Sequence, residues 1–321
     1  MNLIEEAAKR LQELEQAGIR APSVQRAPHH KVEIGDRAEP IPQQVARAVQ
    51  PVPRVDAPAR NDVEMRIEGG VPQEKATDPS KFRHIDLARL QAAGFITPTV
   101  RESQLLHEFR IIKRPLIANA LGRGAAPVRS GNLIMVTSAV PEEGKSFVSV
   151  NLAMSMALEL DCRVLLVDAD VLKPSIPHVL GIERGKGLLD VLTESRLSFG
   201  DVLLHTNVER LTLTLAGTPQ RGSSELLASD AMTRLLQEVS NRYRDRIVIF
   251  DSPPLLATTE SRVLASRMGQ VVVVVEAERT THGALESALS TIESCPVVLT
   301  MLNKSRDEGS GSYYGYYRYG A

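Results

Sequence analysis

The chain has no tryptophan, and aromatic residues of every kind make up only 4% of its 321 residues. A core built from it must therefore be aliphatic. Five of its six tyrosines fall in the last nine residues, at Tyr313, Tyr314, Tyr316, Tyr317 and Tyr319. Tyrosine is normally spent on cores and interfaces, so that placement calls for a reason. Cysteine is nearly absent too: Cys162 and Cys295 lie far apart in apolar contexts. That excludes a disulfide framework and any paired zinc spacing, and predicts two buried, inert thiols. Neither charge sign dominates, with 38 Lys plus Arg against 39 Asp plus Glu. No global field draws the chain to nucleic acid or an anionic membrane. Its strongest apolar run, Val271–Val275, is far short of the roughly 20 residues of a membrane helix. The N-terminus MNLIEEAAKRLQELEQ is acidic and amphipathic, unlike a secretory signal. These features predict a cytoplasmic protein without a transmembrane segment of its own.

What is present divides the chain into segments. Ile4, Leu11 and Leu14 recur at helical spacing before Gly18, which predicts an amphipathic helix over residues 1–18. Residues 19–83 form a proline-rich, disordered linker: nine of the 19 prolines lie between residues 19 and 80, without sustained periodicity. Folded sequence is expected over residues 84–304. A helix begins near Glu102 and is kinked or ended by Pro115. Strands are predicted at 133–138, 163–168, 211–216, 247–251, 270–276 and 297–302, and helices at 145–159, 224–240, 258–267 and 281–293. Near-continuous apolar strands separated by helices predict an α/β fold, a mostly parallel sheet with helices on both faces. Residues 305–321, SRDEGSGSYYGYYRYGA, have no core-forming face and read as a tail.

Chemistry gathers at the strand ends. Ala139-Val-Pro-Glu-Glu-Gly144-Lys145-Ser146 follows one strand and opens a helix, the setting a phosphate-binding loop needs. Backbone N–H groups of Glu143, Gly144, Lys145, Ser146 and Phe147 would face phosphates, Lys145 would reach the β and γ phosphates, and Ser146 would hold Mg²⁺. The next strand ends in Asp168-Ala-Asp170, and a later one in Asp251-Ser-Pro-Pro. A lone Asp at a strand end is an ordinary turn former. Three of them beside a phosphate loop favour a Mg²⁺–nucleotide site, with Asp168 and Asp251 as metal ligands. Asn303, ending the last strand, is either an adenine contact or a plain turn residue.

The trio AVPEEGKS, VLLVDADVLKPS and IVIFDSPP resembles the Walker A, A′ and B motifs of the bacterial tyrosine autokinases of polysaccharide biosynthesis. The tyrosine-rich tail is that family's other mark. The order of parts is similar to a soluble, exosortase-associated branch. The resemblance implies a P-loop NTPase fold, with ATP and Mg²⁺ as donor and cofactor. It implies Lys145, Asp168, Asp170 and Asp251 as catalytic residues, and the tail tyrosines of a neighbouring subunit as acceptors. It further implies a homo-oligomeric ring, and attachment to the inner membrane through a chain-length regulator. Tyrosine titrates near 10, so its hydroxyl needs a base; Asp168 and Asp170 both remain candidates.

Departures from the family pattern matter. Lys173 stands where an Arg is usual. In the ring-forming Glu-x2-Arg-x2-Arg pattern, His107 takes the Glu place while Arg110 and Lys113 take the basic ones. AGTPQRGSSELLAS lacks the usual Asn-Pro. These changes bear on assembly more than on ATP binding. A rival function is a ParA/MinD-like nucleotide switch without kinase activity. Against it, AVPEEGKS lacks that group's early lysine. A tyrosine tail could also stack on nucleic acid, but only Arg318 is charged within residues 309–321, so no nucleic-acid partner is expected.

Overall fold

The computed structural model describes residues 78–100 and 102–305. The predicted N-terminal helix, nearly all of the linker and the five tail tyrosines lie outside the described residues. Among the described residues, eight strands form one sheet: β1 (Phe82–Arg83), β2 (Leu133–Ser138), β3 (Arg163–Asp168), β4 (Leu204–Thr206), β5 (Leu211–Thr214), β6 (Arg246–Asp251), β7 (Gln270–Glu276) and β8 (Val298–Asn303). Their order is β1-β4-β5-β3-β6-β2-β7-β8. All neighbours pair in parallel except β4 and β5.

The helices are α1 (Leu87–Ala92), α2 (Gln104–Ala120), α3 (Lys145–Ala157), α4 (Ile176–Leu180), α5 (Leu188–Thr193), α6 (Ser223–Ala228), α7 (Asp230–Arg242), α8 (Thr259–Ala265) and α9 (His282–Ser290). Strand side chains alternate between the sheet's two faces. Ile134, Val136, Val164, Leu166, Ile247 and Ile249 pack with Leu106 and Phe109 of α2 and Val148, Leu152 and Met156 of α3. Leu133, Met135, Leu165, Val167, Val248 and Phe250 pack with Met232, Leu236 and Val239 of α7 and Leu264 of α8. The two faces together give the expected α/β architecture, with an almost purely aliphatic core. Tyr243, the one described tyrosine, packs edge-on to Phe199 with ring centroids 6.1 Å apart. Both cysteines are buried and free, and burial pushes both thiols up, which keeps them inert.

Four sequence expectations are corrected in detail. Sheet structure starts at Phe82, inside the segment assigned to the linker, because β1 finds its partner in β4 far along the chain. Two residues are too few to show periodicity. Pro115 does not end α2, which runs on to Ala120. Proline removes the donor to the carbonyl four residues back; here that residue, Ile111, is exposed, so water can serve the carbonyl. The segment 224–240 is two helices, broken at Ser229, whose hydroxyl caps α7 by accepting from the Met232 N–H at 3.2 Å. β4, α4 and α5 are short elements that the apolar pattern did not announce.

The fourth correction concerns Lys113, assigned by resemblance to a contact between subunits. It points inward and is buried. Its ammonium donates to the Ser155 carbonyl at 2.5 Å and pairs with Glu159 Oε1 at 2.7 Å. It falls on the face of α2 that also carries Leu106, Phe109 and Leu116, because i, i+4, i+7 positions share a helix face. Lys113→Met is therefore expected to destabilise the fold by about 1–2 kcal/mol, by stranding a buried carbonyl and a half-buried carboxylate. The Lys113 hydrogen bond holds the Glu159 carboxyl below its ordinary value. That contribution is present above the ordinary glutamate range and lost as pH falls through the lowered one. The gap between urea melts of wild type and variant should narrow in acid, leaving the share due to the stranded Ser155 carbonyl.

Candidate active site

The strand order puts the carboxyl ends of β3, β6 and β2 side by side. In register, Asp168 sits opposite Asp251, and β2 runs on into the loop Ala139–Gly144. The three motifs, over a hundred residues apart at their extremes, thus meet at one edge of the sheet, where parallel α/β folds bind ligands.

The loop is held in shape by its own residues. Gly144, the cap of α3, has φ 97°, a left-handed conformation that favours glycine. A Cβ there would also lie 2.0 Å from Asn303 Nδ2, so any side chain would push the Asn303 amide out of place. Glu143 is buried. One of its carboxylate oxygens accepts from the Val140 N–H at 2.7 Å, and the other from the Thr280 hydroxyl. This staple does the shaping that extra glycines would otherwise allow. The first N–H groups of α3, those of Lys145, Ser146 and Phe147, have no partner within the helix and carry the positive end of its dipole. The Phe147 ring faces away from the loop and packs on Phe95, with centroids 4.9 Å apart, so only its backbone is a candidate contact.

Lys145 Nζ lies 3.2 Å from Asp170 Oδ2, both side chains nearly buried. The other oxygen of Asp170 accepts from the Lys173 N–H at 3.1 Å. Asp251 is fully buried and accepts from the Ser149 hydroxyl at 3.0 Å. Ser175 donates to Ser146 Oγ at 2.6 Å and approaches Asp251 Oδ2 at 3.4 Å. Asp168 accepts from the Ile176 N–H at 3.2 Å through Oδ2, while its Oδ1 is buried with no hydrogen-bond partner. Burial, and then the charge of Asp251, push the Asp168 carboxyl well above the ordinary range. Burial likewise raises Asp251, against the pull of Lys145, Ser146 and Ser149.

A buried oxygen without a hydrogen-bond partner beside a second buried carboxyl fits a cation as ligand. The donors are all oxygens, which suits Mg²⁺. Among the described residues there is no cluster of three or more His, Cys, Asp or Glu arranged to cage a metal. Ser149 and Ser175 went unnoticed in the sequence reading. Only the Ser146–Ser149 spacing, one turn of α3, could have signalled the first. Asn303, a candidate for adenine, spends its Nδ2 on the Glu143 carbonyl at 2.8 Å.

The family model for the NUBPL iron-transfer P-loop NTPases of the ParA type matches residues 129–277. The chain is also 31% identical over 185 residues to the tyrosine-protein kinase YwqD of Bacillus subtilis, a match taking in 57% of this chain and 76% of YwqD. The chain belongs to the bacterial tyrosine-protein kinase family. It is 37% identical to EpsB of Ralstonia nicotianae, over 59% of this chain but only 25% of EpsB. The chain thus spans about a quarter of that larger kinase-named relative. Among solved structures, the VpsO kinase domain superposes with TM-score 0.51 at 28% identity, over 62% of this chain and 96% of that domain. The BceF tyrosine kinase domain gives 0.53 at 25% identity, over 66% and 86%. Among the described residues, no helix of this family member is long and apolar enough to cross a membrane.

Proposed function

We propose that the protein is an ATP-dependent tyrosine autokinase that phosphorylates Tyr313, Tyr314, Tyr316, Tyr317 and Tyr319 on the tails of neighbouring subunits. The observation that carries this is the meeting of a stapled phosphate loop, the Lys145–Asp170 pair and the unpartnered Asp168 oxygen, in a chain of tyrosine-kinase family. Phosphates of ATP would lie on the α3 amides, with Lys145 drawn from Asp170 onto the β and γ oxygens. Mg²⁺, held by Ser146, Asp168 and Asp251, would supply charge neutralisation on the transferring phosphoryl group. The acceptor tyrosine oxygen forms the new bond to the γ phosphorus, the bridging P–O bond breaks, and ADP leaves. Asp170 is the better base of the two candidates. It is the least enclosed of the three aspartates, 5% exposed against 0% for Asp168 and Asp251. Its Oδ2 is also released when Lys145 moves to the phosphates.

In this reading the protein forms a homo-oligomer and acts at the cytoplasmic face of the inner membrane through a membrane-bound chain-length regulator. There it controls exopolysaccharide chain length or export. Each phosphate adds about −1.5 to −2 charge, so several on one tail would repel the carboxylate-rich site and release the tail. The direct test is to incubate the full chain with ATP and Mg²⁺ and map phosphate by mass spectrometry. Phosphate on the tail tyrosines is the expected result. ATP hydrolysis with unmodified tyrosines would instead make the protein a nucleotide switch of the ParA/MinD kind.

A further inference from the structure

Asn303 ends the last strand, and it and Lys304 after it touch the phosphate loop. Asn303 Nδ2 donates to the Glu143 carbonyl at 2.8 Å, and Lys304 Nζ to the Glu142 carbonyl at 2.8 Å. Lys304 also pairs with Glu276 Oε2 at 3.1 Å, and Arg279 bridges Glu276 at 3.3 Å and Glu142 at 3.5 Å. Thr280, in the same turn after β7, donates to the Glu143 carboxylate and accepts from the Glu276 N–H at 3.0 Å. Among the described residues, four non-glycines have positive φ, and three of them, Glu142, Glu278 and Lys304, gather here. Non-glycine residues hold that conformation only where surrounding contacts impose it.

We propose that Asn303 and Lys304 form a clasp that positions the phosphate loop, so that Asn303 serves phosphate binding through Glu143 rather than reading adenine. The proposal rests on the loop's being a phosphate site. Two carbonyls of a loop that must present its N–H groups to phosphate are fixed from outside by these two side chains. A carbonyl so held cannot rotate inward, where it would oppose the anion. The clasp residues immediately precede residues 305–321, so the root of the tyrosine tail and the nucleotide loop form one bonded unit.

The test measures binding of Mg·ATP and of Mg·tripolyphosphate, which has no base, to the full-length wild type and to Asn303→Ala and Lys304→Met. Amide hydrogen exchange over residues 139–146 is followed in the same samples. A clasp predicts that each variant weakens both ligands by the same factor, about fivefold to tenfold for one lost hydrogen bond. Exchange in the loop should quicken while the thermal melt of the core stays put. Weaker ATP binding with unchanged tripolyphosphate binding in Asn303→Ala would make Asn303 an adenine contact and overturn the clasp. Unchanged affinities and exchange in both variants would overturn it as well. A wild type that binds neither ligand would remove the phosphate-loop reading itself, a result distinct from either.

Discussion

A chain carrying Lys145→Met is expected to lose at least about 10³-fold of its tail phosphorylation, the scale on which removing one preorganised charge contact lowers phosphoryl and acyl transfer. The physical basis is the position of Lys145. It opens α3, next to the loop, and its ammonium is held 3.2 Å from Asp170. Methionine keeps the stem but brings no charge to the phosphates. It also leaves Asp170 without its counter-charge, so a small loss of stability should accompany the loss of activity. The same variant decides whether transfer runs between subunits. Lys145→Met chains, catalytically dead with intact tails, are mixed with active chains whose five tail tyrosines are phenylalanine. Phosphate should appear on the Lys145→Met tails only in the mixture. If the mixture stays unlabelled while wild type alone is labelled, transfer within one chain replaces the neighbouring-subunit reading.

Asp168→Asn should do two opposite things: abolish phosphorylation and make the ligand-free protein more stable. Asp168 is fully buried opposite Asp251, and one of its oxygens has no partner. Its carboxyl is raised by burial and by the Asp251 charge. The folded state therefore holds this proton more tightly than the unfolded chain does. The cost of ionising it is absent at low pH and grows as pH rises from the ordinary carboxylate range through the raised value. Asparagine removes that cost, and its amide can donate toward Asp251. A gain of about 1–2 kcal/mol, or roughly 2–8 °C in melting temperature, is expected at neutral pH and should vanish in acid. Saturating Mg·ATP should reverse the ranking, since ligand at about 100 times its Kd adds about 2.7 kcal/mol to wild type alone. A variant that melts lower than wild type at pH 7 without ligand would sink this account of Asp168.

Much of this site is legible in the sequence because its physics is local. A phosphate loop must follow a strand and open a helix, and AVPEEGKS shows that setting by itself. The aspartates at the ends of β3 and β6 are marked by the apolar runs before them. Runs such as QVVVVVE announce strands buried on both faces, since a strand covered by helices has no polar side to display.

Contacts across the sheet left no such mark. The sequence assigned Lys113 a place between subunits by resemblance, yet the register of α2 turns it inward onto Glu159. Asn303 read as an adenine contact or a turn, and nothing in the sequence near residue 303 hints that Gly144 lies against it. Glu143 read as a candidate backbone contact to phosphate, and nothing local showed that Val140 and Thr280 close on its two side-chain oxygens. Composition, periodicity and motif spacing determined the α/β class, the nucleotide loop, the three carboxylates and the unusual tail. Only the tertiary structure decided which aspartates face each other, which oxygen lacks a partner and what holds the loop. Those depend on strand order and register, which pair residues far apart in the chain through contacts that no local pattern encodes.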